Sequence, residues 1–186
     1  MIHVSLVRGI NVGARNRIRM DRLRAVHETA GLLSPRTLLQ SGNVAFDAGG
    51  TRNAIETAIA SVLQEEMGVA IEILVRTAGE LEAVLSANPL PDAASADPAH
   101  LLVMFLKRRV RVEDVAAVER LATGGELIRP GREALYLHYP PPAGIGRSKL
   151  TGAVIEKALG TIGTSRNWTT LTKLLALSKP EAAALG

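Results

Sequence analysis

The order of periodic segments predicts an α+β chain built from two tandem repeats, each a split β-α-β unit with an additional C-terminal helix. Two observations carry this. Strand-like runs and helix-like spacings alternate in a definite order, and that order starts again after a Pro-rich stretch near the middle of the chain. Composition agrees: 186 residues with 47% hydrophobic and 22% charged side chains suit a folded chain with a sizeable core.

The first half opens on Ile2–Val7, a short apolar strand. A Gly/Asn/Arg loop runs from Arg8 to Arg19. Met20, Leu23, Val26, His27 and Ala30 then fall at helical spacing, and Gly31 is placed to end that helix in the left-handed conformation. Pro35 is expected to break the chain. Residues 36–40 and 43–47 read as two strands joined tightly at Ser41-Gly42. Thr51 is a natural cap for a second helix, with Ile55, Ile59, Val62 and Leu63 as its buried stripe and Gly68 as its stop. Val69, Ile71, Ile73 and Val75 alternate as a strand. Thr77 and Glu80 have the spacing of a capping box, opening a helix that carries Leu81, Val84 and Leu85.

Residues 88–99 hold three Pro and no periodicity, which predicts a linker between repeats at 1–87 and 100–186. The pattern then restarts. Residues 100–106 read as a strand, and Val112, Val115, Val118 and Leu121 mark a helix. Residues 126–129 and 133–138 are strands around a Pro130-Gly131 turn. A stiff loop at 140–146 leads to a helix over 148–159, stopped by Gly160. A short strand at 161–164 and a last helix over 168–178, capped by Asn167, complete the chain. Both halves are therefore expected to be ferredoxin-like, with corresponding strands about 90 to 98 positions apart. His3 and His100 open equivalent strands on this alignment.

The absence of Cys excludes disulfides, thiolate metal sites and Cys nucleophiles. The four His are scattered, with no H-E-x-x-H or similar spacing, so no metal and no cofactor are expected. The longest apolar runs are about four to six residues, far from the roughly 20 of a membrane span. The N-terminus lacks a basic segment, a long apolar core and a cleavage site, so a cytoplasmic protein without membrane partners is expected. Nothing in the sequence sets an oligomeric state.

Charge is polarised. Between Arg8 and Arg24 there are six Arg and one acid, whereas between Thr51 and Asp92 there are two Arg and seven acids. A basic stretch suits phosphates or nucleic acid; the plainer reading is a solvated positive face. Four segments hold the candidate ligand-binding residues. The first is the loop after strand one, where Gly9 and Gly13 free the backbone, Arg8, Arg15 and Arg17 are placed to fork onto an anion, and Asn11 and Asn16 to bond a base or sugar. Its spacing matches neither dinucleotide nor P-loop signatures. The second is Gln40, Ser41 and Asn43, polar side chains that also suit a plain turn. The third is Ser148 and Lys149, with Arg147 beside them, at an expected helix N-terminus. Ser148 fits a helix cap better than a nucleophile paired with Lys149. The fourth is Arg166, Asn167, Trp168 and Lys173; Trp168 suits either stacking or the core. No carboxylate pair stands out for acid–base work, so no catalytic residue is assigned.

Val4–Gly13, Arg17–Leu23, Leu39–Val44, Asn88-Pro89, Ser148–Leu150 and Arg166–Thr169 leading to Lys173 together resemble the signature of the domain of unknown function 1697 family. The resemblance implies an α+β fold of two ferredoxin-like repeats and brings no activity with it. It groups the four polar segments, which would form one basic cleft if they met. The expected function is binding of a phosphate-bearing partner, nucleic acid foremost. The alternative is a small enzyme acting on a nucleotide or other phosphorylated metabolite, for which no base is identified. A scaffold without ligand is the third reading.

Overall fold

The computed structural model describes residues 1–13 and 16–179. Among these the chain runs β1 (Ile2–Val7), α1 (Met20–Thr29), β2 (Leu33–Leu38), β3 (Asn43–Asp47), α2 (Arg52–Met67), β4 (Ile73–Thr77), α3 (Ala78–Ser86) and α4 (Pro91–Ala96). It continues with β5 (Leu101–Leu106), α5 (Val112–Glu119), β6 (Leu127–Pro130), β7 (Ala134–His138), α6 (Gly144–Arg147), α7 (Gly152–Leu159), β8 (Gly163–Asn167) and α8 (Trp168–Leu177). The molecule is a mixed α/β structure with two four-stranded antiparallel sheets, ordered β2-β3-β1-β4 and β6-β7-β5-β8. It divides into two compact units: Met1–Glu82 with the described residues from Lys173 onward, and Ala83–Thr172.

In the first unit, α1 presents Leu23, Val26 and His27 on one face because they recur at three- and four-residue spacing. Longer α2 adds Ile55, Ile59 and Leu63. Both helices pack on Val7, Val44, Phe46, Ile73 and Val75, and each such buried side chain contributes about 1.5–3 kcal/mol. Thr51 caps α2 by accepting from the Ala54 amide, and Gly68 ends it at φ +70°. The Thr77–Glu80 box closes in both directions, at 3.0 and 2.8 Å. Pro35 does not break the chain as expected: it lies within β2, an edge strand with a register shift between Leu33 and Arg36. An edge strand tolerates proline because the missing amide faces no partner.

One polar pair sits inside this core. The Ser5 hydroxyl meets His27 Nε2 at 2.8 Å, and His27 Nδ1 meets the Leu23 carbonyl at 2.8 Å. A carbonyl only accepts, so Nδ1 carries the proton and Ser5 donates to Nε2. Burial holds the His27 pKa down to about 4.

In the second unit, α5 and α7 bring Val118, Ile155 and Leu159 onto Met104, Leu135 and Leu137. Asp114 ties the start of α5: it accepts both Arg108 nitrogens, at 2.7 and 3.1 Å, and the Arg111 amide at 2.8 Å. Those bonds hold its carboxyl down to about 2. Residues 88–99 are not wholly irregular, because Pro91 opens the short helix α4, where its missing amide costs nothing. The strand register sets Val4 opposite Arg76 and Val103 opposite Arg166, so the two sheets carry a buried Arg at corresponding places. The same register makes Leu102, not His100, the counterpart of His3.

Candidate functional site

The loop after β1 and the turn after β2 are built as one piece. The Val7 amide donates to the Gly42 carbonyl at 2.8 Å. Gly42 has φ +76°, and a Cβ there would lie 2.8 Å from Ile10 Cδ1 and 2.9 Å from Val7 Cβ. Only glycine allows that approach. Asn11, at φ +54°, is the bracket. Its Nδ2 donates to the carbonyls of Ile18 at 3.0 Å and Gln40 at 2.8 Å, and its Oδ1 accepts the Ile18 amide at 2.9 Å. Asn16 Nδ2 donates to the Gly9 carbonyl at 3.3 Å. These two Asn side chains, expected to face a base or sugar, instead organise the loop. Gly13 has φ +63°, which suits glycine, and no described atom lies within 4 Å of its Cβ position.

Two concavities open beside this bracket. One, of about 530 Å³, is lined by Asn11, Arg17, Ile18, Arg19, Met20, Asp21 and Gln40. The other, of about 480 Å³, shares Arg17 and Arg19 and adds Arg22 and Glu66. Asp21 takes both donors of Arg19, at 3.1 and 2.9 Å, and Glu66 both donors of Arg22, at 2.8 and 2.6 Å. The Arg19 guanidinium holds the Asp21 carboxyl below the usual carboxylate range. Arg17 is exposed, lines both concavities, and has no hydrogen-bond or ion-pair partner among the described residues. The Gln40 side chain is likewise exposed and unengaged among them. Thus Asn11, Arg17 and Gln40, from two of the four polar segments, line one concavity, and an acid, Asp21, lines it with them.

The other expected residues stand as follows. Arg15 lies outside the described residues. Arg8 is exposed, and its amide donates to the Glu72 carbonyl. Asn43 is fully buried and donates to the Ser41 hydroxyl at 2.8 Å, which locks the turn. Ser148 is not the N-cap expected of it: it follows α6, donates to Glu126 and accepts the Leu150 amide at 3.0 Å. Thr151 caps α7 instead, accepting from the Val154 amide. Lys149 is exposed. Arg166 is buried, with one nitrogen donating to Thr164 Oγ1 at 2.9 Å and to the Ser165 carbonyl at 2.8 Å. Burial pulls its pKa down to about 10. Asn167 caps α8 through the Thr170 amide at 2.9 Å, Trp168 is half-buried, and Lys173 is exposed.

Sequence reasoning missed one cluster. Asp97 accepts from His100 Nδ1 at 2.6 Å and lies 3.1 Å from His138 Nε2. Those imidazoles hold the Asp97 carboxyl below its usual range. The Asp97–His100 spacing was a visible signal; the strand pairing that brings His138 to it was not. Among the described residues no group of three or more His, Asp or Glu is arranged to hold a metal ion. No helix among them is long and apolar enough to cross a membrane.

None of the curated proteins matches the sequence. Among solved structures, the conserved bacterial protein SP0830 from Streptococcus pneumoniae is similar over 96% of this chain and 98% of its own, with a TM-score of 0.74 and 21% identity. At that identity the likeness shows the fold alone. The family profile described as protein of unknown function (DUF1697) matches residues 1–136, a span that contains the loop and turn above but ends before Ser148–Leu150 and Arg166–Thr169. The chain belongs to that family of proteins of unknown function, DUF1697.

Proposed function

We propose that this protein binds a phosphate-bearing partner, nucleic acid foremost, at the concavity beside the Asn11 bracket. The observation that carries the reading is Arg17, an exposed guanidinium on the wall common to both concavities, with no partner among the described residues. Neighbouring Arg19 and Arg22 are each occupied by a carboxylate, so among the described residues Arg17 is the cation on these walls ready to take a phosphate oxygen. Gln40 adds an amide, unengaged among the described residues, that both donates and accepts. Neither concavity is lined by His, and Asp21 and Glu66 are engaged by Arg, which supports binding over acid–base catalysis. The matching strand orders support a pair of ferredoxin-like repeats as the frame, in a cytoplasmic protein.

The test is fluorescence anisotropy with a labelled oligonucleotide over a range of salt concentrations. Affinity is expected to fall steeply with salt. Arg17→Ala is expected to weaken binding and lower the salt slope by about one. A flat salt response, or an Arg17→Ala variant that binds like the parent, would overturn the proposal.

A further inference from the structure

Resting on that reading, we propose that the site takes an unpaired nucleotide of a single-stranded nucleic acid, and that Leu39 and Val12 form the apolar surface on which its base lies. Leu39 has φ +57°, a left-handed conformation that a bulky residue adopts at a cost. The residue is 53% exposed, so burial offsets only part of that cost. The same turn contains Gly42, which is glycine for a clear reason of space. Position 39 has no such constraint on it, and Gly or Asn would suit its backbone better. Val12 is 70% exposed and sits between Asn11 and Gly13, both at positive φ. The 2.8 Å bond from Asn11 Nδ2 to the Gln40 carbonyl brings the two chain segments together, with Val12 next to one end and Leu39 next to the other. Strained backbone that displays an apolar side chain to water is a feature of ligand sites.

The chemistry of the occupant follows from the concavity beside the Asn11 bracket, which Arg17 and Gln40 line. Arg17 matches an anion, Gln40 matches the mixed donor and acceptor edge of a base, and Leu39 with Val12 match its flat apolar face. A duplex keeps its base faces stacked, whereas a single strand presents phosphate, edge and face at one point. The chain has only two Tyr, two Phe and one Trp, so an aliphatic surface stands in for the aromatic platform of many single-strand binders.

The experiment compares the full chain with its Leu39→Gly, Leu39→Asn and Arg17→Ala variants. Each is titrated into a labelled 12-nucleotide oligothymidylate, its duplex with oligoadenylate, and thymidine monophosphate. Single strand is expected to bind about tenfold tighter than duplex, and the monophosphate more weakly still. Leu39→Gly and Leu39→Asn are expected to bind the single strand about fivefold more weakly with the salt slope unchanged, while their melting temperatures hold or rise because both residues tolerate positive φ. A merely structural Leu39 would show lower stability and unchanged affinity. Unchanged affinity in both Leu39 variants, with Arg17→Ala weakened, overturns this inference and leaves the phosphate-binding reading standing. Preference for duplex or for the monophosphate also overturns it. Binding indifferent to Arg17, or absent for all three ligands, removes the underlying reading and this inference with it.

Discussion

Acidification should loosen the first unit through one residue, His27. Its imidazole is held neutral at about pKa 4 by burial, against 6.5 for the free group. Both of its nitrogens are engaged in the neutral form, Nδ1 as donor to Leu23 and Nε2 as acceptor from Ser5. A folded-state pKa below the unfolded one means that the unfolded chain takes up a proton first. Stability is then full above pH 6.5, falls as pH drops toward 4, and levels off below that. At 1.36 kcal/mol per pKa unit, the loss is about 2 kcal/mol between pH 7 and 5 and about 3 kcal/mol between pH 7 and 4. The assay is urea unfolding across this range, followed by the Leu23–Val26 amide signals so that the first unit is read by itself. His27→Gln removes the titration, so the parent-minus-variant difference isolates it from the carboxylates. A difference that stays constant from pH 7 to 4 would refute the reasoning, as would an imidazole titrating near 6.5 in the folded protein.

Three further outcomes follow from particular contacts. Gly42→Ala forces a Cβ to 2.8 Å from Ile10 at φ +76°, and thermal unfolding should show a loss of about 2–3 kcal/mol. Asn11→Gly keeps the positive φ but removes the bonds to Ile18 and Gln40; hydrogen exchange at Ile18 should rise, and stability should fall by about 1–3 kcal/mol. Asp114→Asn weakens the double bond to Arg108, and chemical unfolding of the second unit should register about 2–3 kcal/mol. The Asp114 contribution is fully present above pH 4 and is lost as pH falls through about 2, the direction set by its lowered pKa.

The fold was legible where local chemistry decides it. Strands β1 and β3 lie where the short apolar run and the Ser41-Gly42 turn put them, and Thr51, Gly68 and the Thr77–Glu80 box mark helix ends because their bonds span only three or four residues. Reading failed where a residue's partner is remote in sequence. Ser148 has the character of a cap, but Glu126, 22 positions away, takes its hydroxyl, and α7 begins at Gly152 under Thr151. Pro35 read as a breaker because nothing in the sequence shows that β2 is an edge strand.

The candidate site was legible in composition and less so in role. Asn11, Arg17 and Gln40, from the first two polar segments, line one concavity, but side chains of one type divide their work. Arg17 has no partner among the described residues, while Arg19 and Arg22 pair with Asp21 and Glu66, and Asn11 turns inward to bind Gln40. Arg166 looked like a phosphate partner and is buried on its sheet, at the place that corresponds to Arg76. The sign of a side chain is written in the sequence, whereas its exposure depends on strand register. The Leu39 backbone conformation had no sequence signal: residues 36–40 read as a strand, whereas β2 ends at Leu38 and Leu39 takes φ +57°.

Whether a phosphate-bearing strand lies against the Asn11 bracket is read most directly by amide shift mapping of the full chain during titration with a short single-stranded oligonucleotide. Saturable shifts are expected at Asn11, Val12, Arg17 and Leu39–Ser41, together with the Arg17 side-chain Nε signal, and their loss in Arg17→Ala. Saturable shifts confined to other parts of the chain, or none at all at concentrations where the basic loop should be occupied, would contradict that placement.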